Sequence, residues 1–186
     1  MFKKILSAGL VAVMSLGFAT GALADSKTND VDITVKSGEF SVKVPSIDSF
    51  GDITLKATPT TYKTSFKDKF TVKDLRGTHD GWRLDVTASQ FSSGDHKLPK
   101  GSLTLKPISK IDRVGTGSGD SPKVSMSSNE VIDDGTVEVA KATSGGGMGV
   151  FDLTFPKDAL SLTVDATTAK TGTYESTLTW DLVQAP

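Results

Sequence analysis

Apolar and polar residues alternate with a period of two along most of this chain. Because successive side chains of a β-strand point to opposite faces, this alternation is typical of strands that bury one face. Nine segments share the pattern: residues 31–35, 40–44, 53–55, 82–86, 103–105, 137–139, 151–155, 160–164 and 178–182. Turn-forming glycines and aspartates lie between them, at residues 80–81, 93–95, 133–135 and 171–172.

Many short strands at this spacing predict an all-β fold, either a β-sandwich or a barrel. Of the two we expect an antiparallel β-sandwich of Ig-like/Greek-key or jelly-roll type, built as a single domain. No window has the apolar spacing of a helix, although a short helical turn is expected near residues 157–159. Two glycine-rich stretches, residues 115–122 and 144–149, are predicted loops.

The first 24 residues have the three parts of a secretory signal peptide. Lysines at positions 3 and 4 precede an apolar run over residues 5–18, and Ala22-Leu23-Ala24 forms the cleavage motif. The alternative is an N-terminal membrane anchor, but the apolar run is shorter than the roughly 20 residues of a membrane span. We therefore predict a signal peptide at residues 1–24 and a secreted mature chain, without a membrane span, at residues 25–186.

Composition limits how the mature chain is held and what it binds. The sequence has no cysteine, which excludes a lipid-bearing lipobox and disulfides. It also ends without a sortase signal or an apolar tail, so we expect release or non-covalent attachment at the surface. The predicted mature chain keeps 19 basic and 22 acidic residues, a net charge of about −3. This scattered charge argues against binding to nucleic acid or to an anionic membrane.

Catalytic and metal-binding chemistry have little support in the sequence. The two histidines, His79 and His96, lie in polar, turn-rich surroundings, and no G-x-S-x-G or H-E-x-x-H motif is present. Asp80 and Asp85 flank Trp82, but such spacing of two carboxylates is common by chance. The cluster at residues 133–135 offers calcium ligands, yet a plain turn is the preferred interpretation. We predict no enzyme, no metal and no cofactor.

The only two tryptophans both occur in the pattern Trp-x-Leu, as Trp82-Arg83-Leu84 and Trp180-Asp181-Leu182. With these motifs in this order, the chain resembles the WxL domain of Gram-positive surface proteins. The further segments that carry the resemblance are residues 44–51 (VPSIDSFG), 81–86 (GWRLDV), 90–91 (QF), 98–105 (LPKGSLTL), 142–149 (ATSGGGMG), 160–164 (LSLTV), 172–174 (GTY) and 177–182 (TLTWDL), before a final Ala-Pro. One departure is Asp165 after Val164, where the family often has a Val-Pro pair.

The resemblance implies a non-catalytic protein that associates non-covalently with the cell wall, with peptidoglycan as its ligand. It also implies partners: other WxL-family proteins, a membrane-anchored WxL-interacting surface protein and host extracellular matrix. An alternative follows from the same resemblance. In that alternative the chain is a structural subunit of a surface complex and reaches the wall only through its partner.

The residues leave two interpretations of the motif tryptophans open. A tryptophan suits glycan binding, because its ring packs against sugar C–H groups while its N–H donates a hydrogen bond. However, residues i and i+2 of a strand share a face, so Trp82 and Trp180 point the same way as the motif leucines. If those leucines are core residues, the motif marks the fold and the ligand lies elsewhere. Arg83 and Asp181 face the other way, where they would pair with each other or meet a partner.

Overall fold

A computed structural model describes residues 29–184, in which the chain forms β-strands and no helix. Fourteen strands follow one another: β1 (Phe40–Lys43), β2 (Thr60–Thr64), β3 (Phe70–Asp74), β4 (Trp82–Ala88), β5 (Ser92–Ser93), β6 (His96–Lys97), β7 (Leu103–Leu105), β8 (Lys110–Val114), β9 (Lys123–Val124), β10 (Glu130–Val131), β11 (Val137–Ala142), β12 (Gly149–Thr154), β13 (Leu160–Val164) and β14 (Leu178–Gln184). Since no helix is present in this range, none there is long enough to span a membrane.

The strands form three four-stranded sheets and one small hairpin, and every strand pair is antiparallel. The sheet orders are β1-β3-β12-β8, β10-β7-β13-β2 and β14-β4-β11-β9, while β5 pairs with β6. The prediction of an all-β, antiparallel sandwich-type fold is therefore confirmed. The sheet β14-β4-β11-β9 contains both Trp-x-Leu motifs and is called the motif sheet below.

The period-two alternation accounts for the hydrophobic core. In β3, β4, β12 and β13 the apolar positions are buried and most of the residues between them are partly or fully exposed. The largest fully buried side chains belong to one continuous cluster: Trp82, Phe70, Phe151, Leu84, Leu103, Leu105, Ile132, Leu153, Leu160, Val72, Val86 and Val139. Burial of such side chains contributes about 1.5–3 kcal/mol each, and this packing fixes how the sheets face one another.

Three expectations from the sequence are wrong. Residues 31–35 and 53–55 alternate like strands but pair with no neighbour, and Val31 is 91% exposed. The alternation reports an apolar face, whereas a strand also needs a backbone partner, which these segments lack within the described range. Residues 157–159 form a turn in which Asp158 has φ 57°, a left-handed conformation that a right-handed helical turn excludes.

Some strands were not predicted, because their sequences lack a regular apolar alternation. In β2 only Tyr62 is apolar, and in β8 the apolar residues Ile111 and Val114 are three positions apart. The predicted loop at residues 115–122 is confirmed, since it contains no strand. The loop predicted at residues 144–149 is confirmed except for Gly149, which begins β12. The predicted signal peptide, residues 1–24, lies outside the described residues.

Candidate functional site

The two Trp-x-Leu motifs lie on neighbouring strands of the motif sheet. Strands β4 and β14 pair in antiparallel register, with Leu182 beside Leu84. The two tryptophans are not direct partners in the strand pair. Trp180 lies beside Val86, which is four residues further along β4 than Trp82. All of these side chains point to the same face, towards the hydrophobic core.

Trp82 is buried completely, with 0% of its surface exposed. Its indole N–H donates a 3.0 Å hydrogen bond to the carbonyl oxygen of Gly147, in the glycine loop that connects β11 to β12. Gly147 has φ +73°, and a Cβ at this position would lie 2.6 Å from the indole nitrogen. The loop thus requires glycine here, because its backbone closes directly over the tryptophan.

Trp180 is only partly buried and packs at the margin of the core, since β14 is the edge strand of its sheet. Its ring lies against Phe66, Phe70 and Phe155, with ring centroids 4.5 to 5.9 Å apart. Tilted and edge-to-face contacts of this kind add about 0.5–1.5 kcal/mol per pair beyond simple burial. Both tryptophans therefore occupy packing positions, and neither presents a free ring face as its main contact.

The middle residues of the motifs lie on the opposite, outer face of the motif sheet. Arg83 does not pair with Asp181; its Nε donates a 2.8 Å hydrogen bond to Asp85 in its own strand. Asp181 lies beside Asp85, and Asp85 lies beside Glu138 of β11, so three carboxylates cross the sheet in one row. Arg83 supplies a neighbouring positive charge, while Asp181 stays exposed at the sheet edge.

A buried ion pair joins the end of β3 and the loop after it to one end of the motif sheet, where β4 begins and β14 ends. Asp74 is 0% exposed, and the guanidinium of Arg76 donates to both of its oxygens at 2.9 Å. The same guanidinium donates to the carbonyl oxygen of Gly81 and to the side chain of Gln184, and it lies 3.7 Å from the ring centroid of Phe40. The pairing raises the pKa of Arg76 further above its usual value. No sequence pattern pointed to this network.

An open groove of about 1070 Å³ lies beside these packing sites. Its floor consists of core residues from β7 and β13, and its walls are two segments without regular strands, residues 47–55 and 169–177. Three half-buried aromatic rings line it, those of Phe50, Phe91 and Tyr174. Phe50 and Phe91 meet edge to face at 5.9 Å.

The polar groups of the groove come from its walls. The Tyr174 hydroxyl accepts a hydrogen bond from the Lys170 N–H at 3.0 Å and donates one to the Lys170 carbonyl at 3.1 Å, which fixes the ring. Hydroxyl and carboxylate side chains from Asp48 to Asp52 stand opposite, beside backbone amides. The groove thus combines apolar ring surface with hydrogen-bonding groups, the combination that sugar binding requires.

The groove is also where most of the segments that carry the family resemblance meet. The groove is lined by residues 47–51, Phe91, Leu98, the three apolar residues of segment 160–164, and residues 172–174, although these are far apart in the sequence. Sequence reasoning named these segments but not their meeting point, because only the strand pairing brings them together. The predicted motif residues Trp82, Arg83, Leu84, Trp180, Asp181 and Leu182 do not line the groove.

No metal centre is assembled within residues 29–184: no group of three or more histidine or carboxylate side chains there has a suitable arrangement. Asp133, one of the candidate calcium ligands, is buried and accepts three backbone N–H bonds at 2.9 to 3.1 Å. The two histidines lie in different surroundings. His96 shares a hydrogen bond with the Thr168 carbonyl, while His79 lies in the loop before β4 with φ 63°.

The described residues thus form an all-β domain with packed motif strands and an aromatic-lined groove. The comparisons agree: the family model described as "WxL domain surface cell wall-binding" matches residues 21–186, and the chain belongs to this family. It is thus a cell-wall-associated protein of the cell surface, from a family that binds the wall and is not known for catalysis. No curated protein matches the chain, and no solved structure matches it.

Proposed function

We propose that the protein attaches to the cell wall directly, by binding peptidoglycan in the groove between residues 47–55 and 169–177. The observation that carries the proposal is the convergence of the family segments on this groove. Because Trp82 is buried and Trp180 packs against other rings, the motif tryptophans stabilise the domain that presents the groove. They do not hold the ligand themselves.

The chemistry of the groove supports a glycan. Sugar rings present C–H faces that pack on aromatic rings, and their hydroxyl and N-acetyl groups need hydrogen-bonding partners. Phe50, Phe91 and Tyr174 offer the ring surface, and the polar side chains and backbone groups of the walls offer the partners. A volume of 1070 Å³ is at the upper end for small-molecule sites, which suits a segment of a chain polymer.

The proposal includes the route to the surface. In it, residues 1–24 are a signal peptide that is removed on export, and residues 25–186 are the mature wall-binding domain, held without a covalent bond. Mass spectrometry of the surface fraction tests this step. An N-terminal peptide that begins at Asp25 would support it, whereas a retained Met1 would contradict it.

The test of wall binding is co-sedimentation of the mature chain with insoluble peptidoglycan stripped of proteins and wall polymers. Two leucines form a matched pair, since Leu55 in the groove is 39% exposed and Leu75 outside it is 44% exposed. We expect Leu55→Ala and Tyr174→Ala to weaken binding several-fold and Leu75→Ala to leave it unchanged. All three chains must keep the circular dichroism spectrum of the wild type.

If the wild type stays in solution, direct binding fails. If all variants bind alike, the ligand occupies another surface.

A second candidate function is binding of a partner surface protein, which would then hold the chain at the wall. The observation that favours it is the exposed carboxylate of Asp181. Arg83 bonds to the neighbouring Asp85, and within residues 29–184 no ion pair gives Asp181 a counter-charge of its own, although like charges opposite each other in a sheet are destabilising. A basic side chain of another WxL protein, of a membrane-anchored WxL-interacting protein or of host matrix would supply it. Capture of such a partner by the wild type, lost in Asp181→Lys and kept in Leu55→Ala, would support this function over the first.

A further inference from the structure

The segment of residues 31–35 has the side-chain pattern of a strand but pairs with no strand among residues 29–184. Val31, Ile33 and Val35 are 91%, 87% and 84% exposed, and they share one face because they are two residues apart. Asp32 and Thr34 lie between them on the other face. Full burial of a Val or Ile side chain would contribute about 1.5–3 kcal/mol of stabilising free energy, and these three side chains do not gain it.

Strand β14 is an edge strand of its sheet, so one of its backbone edges is open to a further strand. It pairs with β4 on one side only, in the part of the chain that the structure describes. The Ser89 N–H donates to the Thr177 carbonyl at 2.9 Å, so in the alternating antiparallel pattern residues 179, 181 and 183 bond to β4. The backbone groups of Leu178, Trp180 and Leu182 then face outward, which is the template for an added strand.

The apolar side chains along this edge are also only half covered. Leu178, Trp180 and Leu182 point towards the core, yet each remains partly exposed because no strand lies beyond them. They repeat every two residues, as do the three apolar residues of the segment 31–35. A strand with this pattern, added beside β14, would cover all three at once.

We propose that the segment 31–35 of a second copy of this chain adds to the edge of β14, and that copies associate in this way on the cell surface. The charges select a parallel orientation. Antiparallel pairing that covers all three apolar residues would place Asp32 beside Asp181, and like charges in that position are destabilising. Parallel pairing places Asp32 beside Thr179 and Thr34 beside Asp181, without a clash of charge.

The interface buries less than a standard protein–protein interface, so we expect weak, concentration-dependent association in solution. Crowding of copies at a wall raises their effective concentration and favours it. Of the residues in this contact only Leu178 also lines the groove, and sedimentation of the chain in the absence of peptidoglycan tests the association independently of the groove's ligand.

Disulfide trapping tests the contact, since the chain has no cysteine of its own. Mature chains with Lys36→Cys and with Val183→Cys, positions that lie side by side in the parallel register, are mixed and oxidised with Asp32 and Asp181 left in place, and mixed dimers are counted by mass spectrometry. Neighbouring strand positions meet the Cα separation that a disulfide needs. We expect several-fold more mixed dimer than in the control mixture of Lys36→Cys with Thr177→Cys, which reports the antiparallel register and also keeps both aspartates. Equal yields would overturn the proposed register and contact.

Two further measurements separate a second copy from other occupants. In sedimentation velocity, Ile33→Glu should raise the dissociation constant of wild-type association at least about tenfold, and Asn29→Glu should leave it unchanged. A wild type that stays monomeric at every concentration overturns the proposal. So does a chain carrying both Lys36→Cys and Val183→Cys that forms only an internal disulfide at all concentrations, because the segment would then cover its own β14.

Discussion

The indole nitrogen of Trp82 donates a 3.0 Å hydrogen bond to the carbonyl oxygen of Gly147, which lies 65 residues further along the chain. This bond connects the first Trp-x-Leu strand to the glycine loop that precedes β12. Because Trp82 is fully buried, the bond forms where water cannot replace it. The first family motif thus contributes a buried hydrogen bond to the packing of the domain.

Replacement of Trp82 by phenylalanine tests this role. The Trp82→Phe chain keeps an aromatic ring but leaves the Gly147 carbonyl without its donor, which should cost about 1–3 kcal/mol of unfolding free energy. The larger truncation Trp82→Ala should cost about 3–5 kcal/mol. Urea denaturation followed by tryptophan fluorescence and circular dichroism measures both. Unchanged stability in Trp82→Phe would contradict the role given to the bond.

Two glycines of the loop allow a matched comparison. Gly145 and Gly147 both have positive φ, at +84° and +73°, but a Cβ has open space at Gly145 and meets Trp82 and Ala142 at Gly147. We expect Gly145→Ala to lose about 1 kcal/mol from backbone strain alone and Gly147→Ala to lose clearly more. Thermal unfolding of the two variants gives the comparison. Equal losses would show that the loop moves away from Trp82 without cost.

The buried pair of Asp74 and Arg76 gives a further prediction. Asp74→Ala leaves the Arg76 guanidinium without its carboxylate in a nearly dry site, and such loss costs about 3–5 kcal/mol. The control is Asp112→Ala, which removes an exposed partner of Lys110 and should cost less than about 1 kcal/mol. Chemical denaturation compares the two. Similar small losses would mean that water reaches Arg76 in the folded chain.

The strands of the core were largely predictable from the sequence, and their pairing was not. In β12, Phe151 and Leu153 are completely buried, as their alternation with polar residues indicates. Yet β12 pairs with β3 and β8, which are distant in sequence, and no local pattern encodes that choice. The groove could not be predicted from local patterns either, because its walls at residues 47–55 and 169–177 lie more than 100 residues apart in the sequence.

The pH dependence of stability should reflect the pair of Lys69 and Asp152. Hydrogen bonds from the Lys69 ammonium and then the Thr71 hydroxyl, both 2.8 Å long, lower the pKa of Asp152. A carboxylate with a lowered folded-state pKa stabilises the fold above its unfolded pKa of about 3.9, and this contribution is lost as the pH falls through the folded value. Lys69 has a raised pKa, so its contribution is lost only as the pH rises above its usual range.

Asp152→Asn should therefore lower stability at pH 7 and flatten the loss of stability below about pH 4. The control is Asp95→Asn, in the turn between β5 and β6, which should follow the wild-type profile. Urea midpoints measured between pH 2 and 7 give the three profiles. An Asp152→Asn profile as steep as that of the wild type would place the acid sensitivity in other carboxylates.

In the turn at residues 133–135, the hydrogen bonds of Asp133 indicate a structural role for this aspartate and argue against calcium binding. The Asp133 carboxylate is 4% exposed and accepts the backbone N–H groups of residues 101, 102 and 103. Its oxygens are thus directed at amides that hold the start of β7. A cation there would have to displace these donors, and the neighbouring Asp134 carboxylate is paired with Lys100 at 2.8 Å.

We expect neither added calcium nor a chelator to change the melting temperature of the wild type. Asp133→Asn places an N–H group against backbone donors and should cost about 1–3 kcal/mol, because a buried donor is left without an acceptor. Asp134→Asn, whose side chain is 55% exposed, should change stability by less than about 1 kcal/mol. A melting temperature that rises with calcium in the wild type and not in Asp133→Asn would instead make this turn a metal site.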